Sequence, residues 1–185
     1  MNTHDKVVFI DTETGGLNPA YHSLLSIGLV EWKKGKIIQT KEILVADGEL
    51  KATDAALAIN KIDLNSHRES AISQNEAIQE ILSFIGWDLY HHEKATLAGH
   101  NVGFDIRFTR YLFESQKYNF DDYFSHRSID TSSILHYLYW SGKLSSKIVG
   151  SSEAFKHFNI EVQGRHTALG DAIATAQLFN KLIRI

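Results

Sequence analysis

The chain contains no cysteine among its 185 residues and only one proline, Pro19. The absence of cysteine excludes disulfide scaffolds, catalytic thiols, iron–sulfur clusters and zinc sites with thiolate ligands. No apolar run approaches the ~18 residues that a membrane-spanning helix needs, and the first six residues lack the features of a signal peptide. We therefore expect a soluble, cytoplasmic protein with no membrane partner.

An excess of charge of one sign is also missing. The net charge is −3, with 22% charged and 43% hydrophobic residues, which is a globular composition. This balance argues against an extended surface that follows phosphates, but not against a small nucleotide site. Because no repeat, low-complexity tract or linker divides the sequence, we predict a single domain over residues 1–185.

Hydrophobic periodicity predicts an α/β fold. Strands over 7–10, 24–32 and 36–45 would form an antiparallel meander. Short strands over 95–98 and 128–130 then alternate with helices near 77–85, 104–112, 134–140, 154–158 and 168–183, the first of them after a capping box at Ser73 and Glu76. This order predicts a mixed sheet, antiparallel first and parallel later, flanked by helices.

Two acidic positions follow the first strand, and a third follows the strand at 95–98. Asp11 and Glu13 have the i, i+2 spacing that places both side chains on one face of extended chain. For this pair alone, a solvated strand end or a turn cap is the favoured explanation. Asp105 lies between the short strand and a helix, where an acidic residue also stabilises a first helical turn by itself.

The last helix contributes a fourth carboxylate. Asp171 is flanked by the small or apolar residues Ala168, Leu169 and Ala172, which predict close packing. An unpaired carboxylate near a core is costly, so Asp171 should have a cation or hydrogen-bond donors. His166 precedes it by five residues and is a candidate proton acceptor, with a surface or packing role as the alternative.

These four carboxylates could converge at one edge of the sheet, where they would repel one another unless cations neutralised them. Ligands that offer only oxygen suit Mg²⁺ or Mn²⁺. Two such ions about 3.5–4 Å apart support in-line displacement at phosphorus. A histidine with a pKa near 6.5 would be a suitable base for the attacking water.

Three segments in order resemble the motifs of the DEDDh (DnaQ-like) family of 3′–5′ exonucleases, which includes ribonuclease T and the proofreading subunit of bacterial replicative polymerase. They are 11–17 (DTETGGL), 100–105 (HNVGFD) and 166–171 (HTALGD). The resemblance implies a ribonuclease H-like fold. It also implies metal-dependent removal of nucleotides from a 3′ end, with release of nucleoside 5′-monophosphates.

The same resemblance implies a role for each matching residue. Two Mg²⁺ or Mn²⁺ ions would be held by Asp11, Glu13, Asp105 and Asp171, and His166 would be the general base. Substrate-binding positions would be Thr12, Thr14, Gly16, Leu17, His100, Asn101 and Phe104. Asn60 stands where many relatives have a histidine, and Arg165 is a candidate phosphate contact or a solvated side chain.

The implied partner is a nucleic-acid 3′ end, DNA or RNA, and a polymerase or repair complex is a candidate protein partner. Since only two residues follow the last predicted helix, we expect no polymerase-tethering segment there. Three other functions stay open: a hydrolase of small nucleotide esters, a module that binds a 3′ end without cutting it, and a docking subunit.

We expect Trp32, Trp87 and Trp140 to pack in or near the core, and we favour packing over groove contacts for Tyr137.

Overall fold

The first strand lies at the centre of the sheet. The computed structural model describes residues 6–46, 48–87 and 93–185, so the first five residues read for a signal peptide lie outside it. Strand β1 (Val7–Thr14) pairs antiparallel with β2 (Leu24–Lys33) and parallel with β4 (Thr96–Gly99). Strand β3 (Lys36–Leu44) lies outside β2, and β5 (Ile129–Asp130) outside β4. The predicted mixed sheet, antiparallel first and parallel later, is confirmed.

Helices cover both faces of this sheet. In the described ranges they are α1 (Asp54–Asn60), α2 (Leu64–Ser70), α3 (Gln74–Phe84), α4 (Gly103–Ser115), α5 (Thr131–Trp140), α6 (Ser151–His157) and α7 (Ala168–Leu182), with a 3₁₀ turn at Phe120–Asp122. Val8 and Ile10 of β1 belong to the core under α3 and α4. Val7 and Phe9 belong to the core under α7. None of these helices is long and apolar enough to cross a bilayer.

Local signals explain where the helices begin. The predicted capping box is present: the Ser73 hydroxyl accepts a hydrogen bond from the Glu76 amide, and the Glu76 carboxylate accepts one from the Ser73 amide. The sequence patterns missed α1 and α2, which have seven residues each and are too short to establish a helical period. Lys61, with a φ of 59°, ends α1 and interrupts any common pattern.

The prediction that Trp140 packs in or near the core is wrong. Trp140 is 79% exposed and Tyr137 is 63% exposed. The buried side of α5 is filled by Thr131, Leu135 and Leu138. At 100° per residue, positions 137 and 140 lie on the opposite side of the helix. Trp32, by contrast, is half-buried and donates a hydrogen bond to Asn180 Oδ1 at 2.8 Å.

Gly28 allows α7 to approach the sheet closely. It lies opposite Asp11 in the β1–β2 ladder. A Cβ atom at this position would come within 2.2 Å of the main-chain oxygen of Ala168, the first residue of α7. Backbone on both sides leaves no flexible group to move aside. Gly28 therefore sets how near the first turn of α7 lies to β1.

Replacement of Gly28 by alanine should destabilise the protein by about 1–3 kcal/mol, because the first turn of α7 must shift. The measurement is the free energy of unfolding in urea. Gly103→Ala is the matched control, since a Cβ there would meet no heavy atom within 4 Å. Equal stabilities of the two variants would contradict this account of Gly28.

Candidate active site

Three carboxylates meet where β1 passes under the start of α7. Asp11 and Glu13 continue the face of β1 that carries Val7 and Phe9, so they lie toward α7. Asp171 lies in the first turn of α7 and is buried. One carboxylate oxygen of each of the three lies within 4.8 Å of the others. We call Asp11, Glu13 and Asp171 the carboxylate cluster.

The fourth predicted ligand approaches from the other side of the strand. Thr12 alternates with Asp11 and Glu13, and its hydroxyl donates a hydrogen bond of 2.7 Å to Asp105 Oδ1. Asp105 is buried in the first turn of α4. The structure therefore places Asp105 beside the carboxylate cluster but outside the 4.8 Å group. A predicted substrate-binding residue, Thr12, thus orients a predicted metal ligand.

Burial and mutual repulsion hold protons on this site. Loss of water raises the pKa of Asp11 well above its usual range, and the neighbouring carboxylates raise it further, Asp105 most of all. Burial and the charge of Asp171 raise the pKa of Glu13 to about 7. Burial also raises the pKa of Asp105 to about 7, although the Thr12 hydrogen bond opposes this. A positive charge nearby would therefore stabilise the ionised carboxylates of this site.

Arg165 supplies one such charge. Its guanidinium donates from Nη1 to Asp171 Oδ2 and from Nη2 to the Ser152 hydroxyl, the latter at 2.6 Å. The guanidinium also lies 5.6 Å from the ring centre of Phe155. Its charge lowers the pKa values of Asp11 and Glu13, against the effect of burial. The sequence pattern gave no sign that Arg165 would contact a predicted ligand.

The donor set suits a hard divalent cation. Asp171 Oδ1 is buried and has no hydrogen-bond partner in the described part of the chain. A buried carboxylate oxygen without a donor is costly, and a cation would satisfy it. The cluster offers only oxygen atoms, which Mg²⁺ and Mn²⁺ prefer. The residues present therefore fit such an ion.

The two predicted histidines have different surroundings. His166 is half-buried, lies directly before the Thr167 cap of α7, and adopts a φ of 65°. Its ring makes no hydrogen bond to the described residues, and it lies outside the carboxylate cluster. His100 is held instead: its Nδ1 lies 3.0 Å from the Thr131 hydroxyl, which donates to the Gly99 carbonyl. Because that hydroxyl has only one proton, His100 Nδ1 is the donor of the pair.

Asn101 is fixed by its main chain. It has a φ of 59°, and its amide donates to Asp130 Oδ1 at 2.8 Å. Four residues outside the predicted site, Lys34, Lys61, Lys117 and Asn159, also have positive φ values. Asn101 and His166, which come from different predicted motifs, are both in this conformation.

A cavity of about 560 Å³ adjoins the carboxylate cluster. Six predicted site residues line it: Thr12, Glu13, Thr14, Gly16, Leu17 and Phe104. The other two predicted substrate-binding residues, His100 and Asn101, do not line it. Leu17 is 80% exposed, which places an apolar side chain at the mouth of the cavity.

Sequence reasoning missed the wall that α1 contributes. Ala55, Ala56 and Ile59 line the cavity, together with Asn60. The Asn60 side chain donates a hydrogen bond of 3.2 Å to the carbonyl of Thr14, which ties α1 to β1. The available signal was Thr53, a capping residue before a run of alanine and leucine.

Comparison with known proteins identifies relatives over nearly the whole chain. The sequence model of the exonuclease family RNase_T matches residues 8–179. Ribonuclease T of Wigglesworthia glossinidia brevipalpis is 26% identical over 184 residues, which cover 95% of this chain and 83% of that protein. The PolC-type DNA polymerase III of Latilactobacillus sakei is 27% identical over 175 residues, which cover 95% of this chain and 11% of the polymerase.

Solved structures share the fold. E. coli Exonuclease I in complex with a dT13 oligonucleotide has a TM-score of 0.82 and 18% identity, over 96% of this chain. The matched region is 40% of Exonuclease I, so the chain spans about two fifths of that protein. The fold of the described residues is therefore the ribonuclease H-like fold.

Without metal, the free energy of unfolding should fall as the pH rises from about 4 to about 7. The folded-state pKa of Glu13 and of Asp105 is about 7, above the unfolded values of about 4. Between these values the folded state binds more protons, so stability is lost through this window. Thermal unfolding in a chelator should show a decrease of several degrees.

The variant Glu13→Gln should flatten that profile, because it removes one of the titrating groups. Glu69→Gln changes an exposed glutamate on α2 and should leave the profile unchanged. A melting temperature that rises with pH over this range would contradict the electrostatics described above.

Proposed function

The chain belongs to the RNase_T exonuclease family and is a 3′–5′ exonuclease, and we propose that it hydrolyses the terminal phosphodiester bond at the carboxylate cluster and releases nucleoside 5′-monophosphates. The observation that carries this proposal is that the carboxylate cluster directly adjoins an apolar cavity. The carboxylate cluster contains a buried oxygen without a donor among the described residues, and Glu13 also lines an apolar cavity of about 560 Å³. A phosphate held between the two would face the carboxylates while its nucleoside occupied the cavity.

We propose Asp11, Glu13, Asp105 and Asp171 as the ligands of two Mg²⁺ or Mn²⁺ ions. When bound, such ions supply Lewis acidity that activates the attacking water and stabilises the leaving oxygen. Thr12 keeps Asp105 oriented through its hydrogen bond. Asp171 is buried, so bulk water has little access to its carboxylate.

The remaining residues hold the substrate and the proton. His166, with its ring free of hydrogen bonds to the described residues, would accept the proton of the attacking water. Leu17 and Phe104 offer apolar contacts to the terminal base, and Thr14 and Gly16 border the same cavity. His100 and Asn101 lie outside that cavity and would support the site through β4 and β5. An incoming phosphate offers Arg165 an alternative partner to Asp171.

We propose a single-stranded 3′ end, of DNA or RNA, as the substrate. Ribonuclease T is similar to this chain along most of its length, and Exonuclease I shares the fold and was solved with an oligonucleotide. Similarity to part of a PolC-type polymerase makes a polymerase or repair complex a candidate protein partner. A single exonuclease domain over residues 1–185 and a cytoplasmic location stay predictions from the sequence.

The first test uses 5′-labelled single strands of DNA and RNA of one sequence, with Mg²⁺, Mn²⁺ or a chelator. We expect a metal-dependent ladder that shortens from the 3′ end, and no turnover by Asp171→Asn. Asp121→Asn is the matched control, because Asp121 is exposed and pairs with Arg110 elsewhere on the surface. Undiminished turnover by Asp171→Asn would refute the site. No shortening of either strand by folded, metal-loaded protein would favour a small-ester hydrolase or a binding module.

The second test concerns the base. His166→Ala should lower kcat by roughly 10²–10⁴-fold, the usual worth of a general base. His100→Ala should lower it less, because His100 is engaged by Thr131. Rates of both variants over pH 5–9 measure this difference. A larger loss for His100→Ala would show that the base is wrongly assigned.

A further inference from the structure

One segment of the surface begins and ends at the site. Residues 131–152 comprise α5, the loop that follows it, and the first two residues of α6; we call them the return segment. At its start, the Thr131 hydroxyl contacts His100, and directly before the segment Asp130 accepts a hydrogen bond from the Asn101 amide. At its end, Ser151 and Ser152 lie 3.4 and 2.6 Å from Arg165 Nη2. The segment thus leads away from the site and back to it.

The return segment has an unusual charge for this chain. It contains no aspartate or glutamate, and it is the longest stretch of the sequence without one. Its charged residues are Lys143 and Lys147, both exposed, in a protein of net charge −3. Lys143 donates to the main-chain oxygen of Ile185 at 3.1 Å. Lys147 makes no ion pair or hydrogen bond to the described residues.

Exposed aromatic side chains lie along the same segment. Tyr137 and Trp140 are 63% and 79% exposed. With Ser133 and His136, which are also exposed, they occupy one face of α5 at helical spacing. Exposed rings beside lysines are the elements with which proteins bind single-stranded nucleic acids: the rings stack on bases and the ammonium groups contact phosphates.

We propose that the return segment binds the single strand upstream of the 3′ end, with bases stacked on Tyr137 and Trp140 and phosphates near Lys143 and Lys147. This inference rests on the proposed function, because it takes the 3′ end to lie at the carboxylate cluster. From Thr131 to Trp140, α5 rises about 14 Å. At the roughly 3.4 Å spacing of stacked nucleotides, that distance corresponds to about four nucleotides. A dinucleotide therefore does not reach Trp140, whereas an octanucleotide does.

The experiment compares these two lengths. Binding of 5′-fluorescein oligo(dT) and oligo(rU), two or eight nucleotides long, is measured by anisotropy with Mg²⁺ in a Glu13→Gln background, which prevents cutting. The double variant Tyr137→Ala/Trp140→Ala should weaken octamer binding about 10-fold or more and leave dimer binding unchanged. Ile38→Ala is the control, since Ile38 is exposed on β3 at the other edge of the sheet.

The lysines have their own readout. Lys143→Gln/Lys147→Gln should reduce the slope of log K against log salt for the octamer by about 1.4, since each contact to a single strand contributes ~0.7. Lys33→Gln/Lys36→Gln, at the turn between β2 and β3, should not change this slope. Both lysine pairs are exposed, so loss of folding does not complicate the comparison.

Failure of this inference and failure of the proposed function give different results. Shortening of strands by the enzyme with Glu13 intact, together with octamer affinity that is equal in the aromatic variant, would overturn the inference alone. Equal loss of dimer and octamer binding would also overturn it, because the damage would then lie in the terminal cavity. If two copies of the protein associate in solution, and Trp140→Ala separates them without changing the binding of the octanucleotide, the surface would be assigned to a second copy of this chain.

Discussion

The pleat of one buried strand determines where the carboxylate cluster lies. Side chains alternate along β1, and Val7 and Phe9 are held in the core beneath α7. Asp11 and Glu13 are the next two positions on that face, so they emerge where α7 begins and where Asp171 lies. A shift of one residue in register would turn both carboxylates toward α4. The hydrophobic core of the first four residues of β1 therefore positions the polar residues of the next four.

This arrangement is electrostatically costly. The charge of Asp171 raises the pKa of both Asp11 and Glu13, and Asp171 Oδ1 has no donor among the described residues. Arg165 offsets part of the repulsion through Asp171 and is itself held by Ser152. The residues of the site do not by themselves balance its negative charge. This is expected of a site that binds a cation.

Sequence reasoning predicted the central parts of the molecule and missed those that depend on long-range contacts. The strands of the meander, the Ser73 cap and the last helix follow from local periodicity and capping. The i, i+2 spacing of Asp11 and Glu13 is likewise a local property. Asp105 approaches from the opposite face and accepts a hydrogen bond from Thr12, 93 residues away in sequence, and no local pattern indicates this contact. The residue type of Trp140 favours packing in or near the core, whereas the orientation of α5, with Leu135 and Leu138 on its buried side, decides the exposure.

The cavity wall formed by α1 has fewer buried residues and hydrogen bonds to the rest of the protein than the wall formed by β1. Of the seven residues of α1, only Asn60 is buried, and two hydrogen bonds, from Asn60 to the Thr14 carbonyl and from the amide of its cap Thr53 to the Gly15 carbonyl, join the helix to the end of β1. The opposite side of the cavity belongs to β1, whose ladder runs between two strands in the middle of the sheet. Elements with so few buried contacts open by local unfolding at free energies well below that of global unfolding. We therefore expect amide hydrogens of α1 to exchange with solvent faster than those of β1, so that the cavity has one wall that moves more readily than the other.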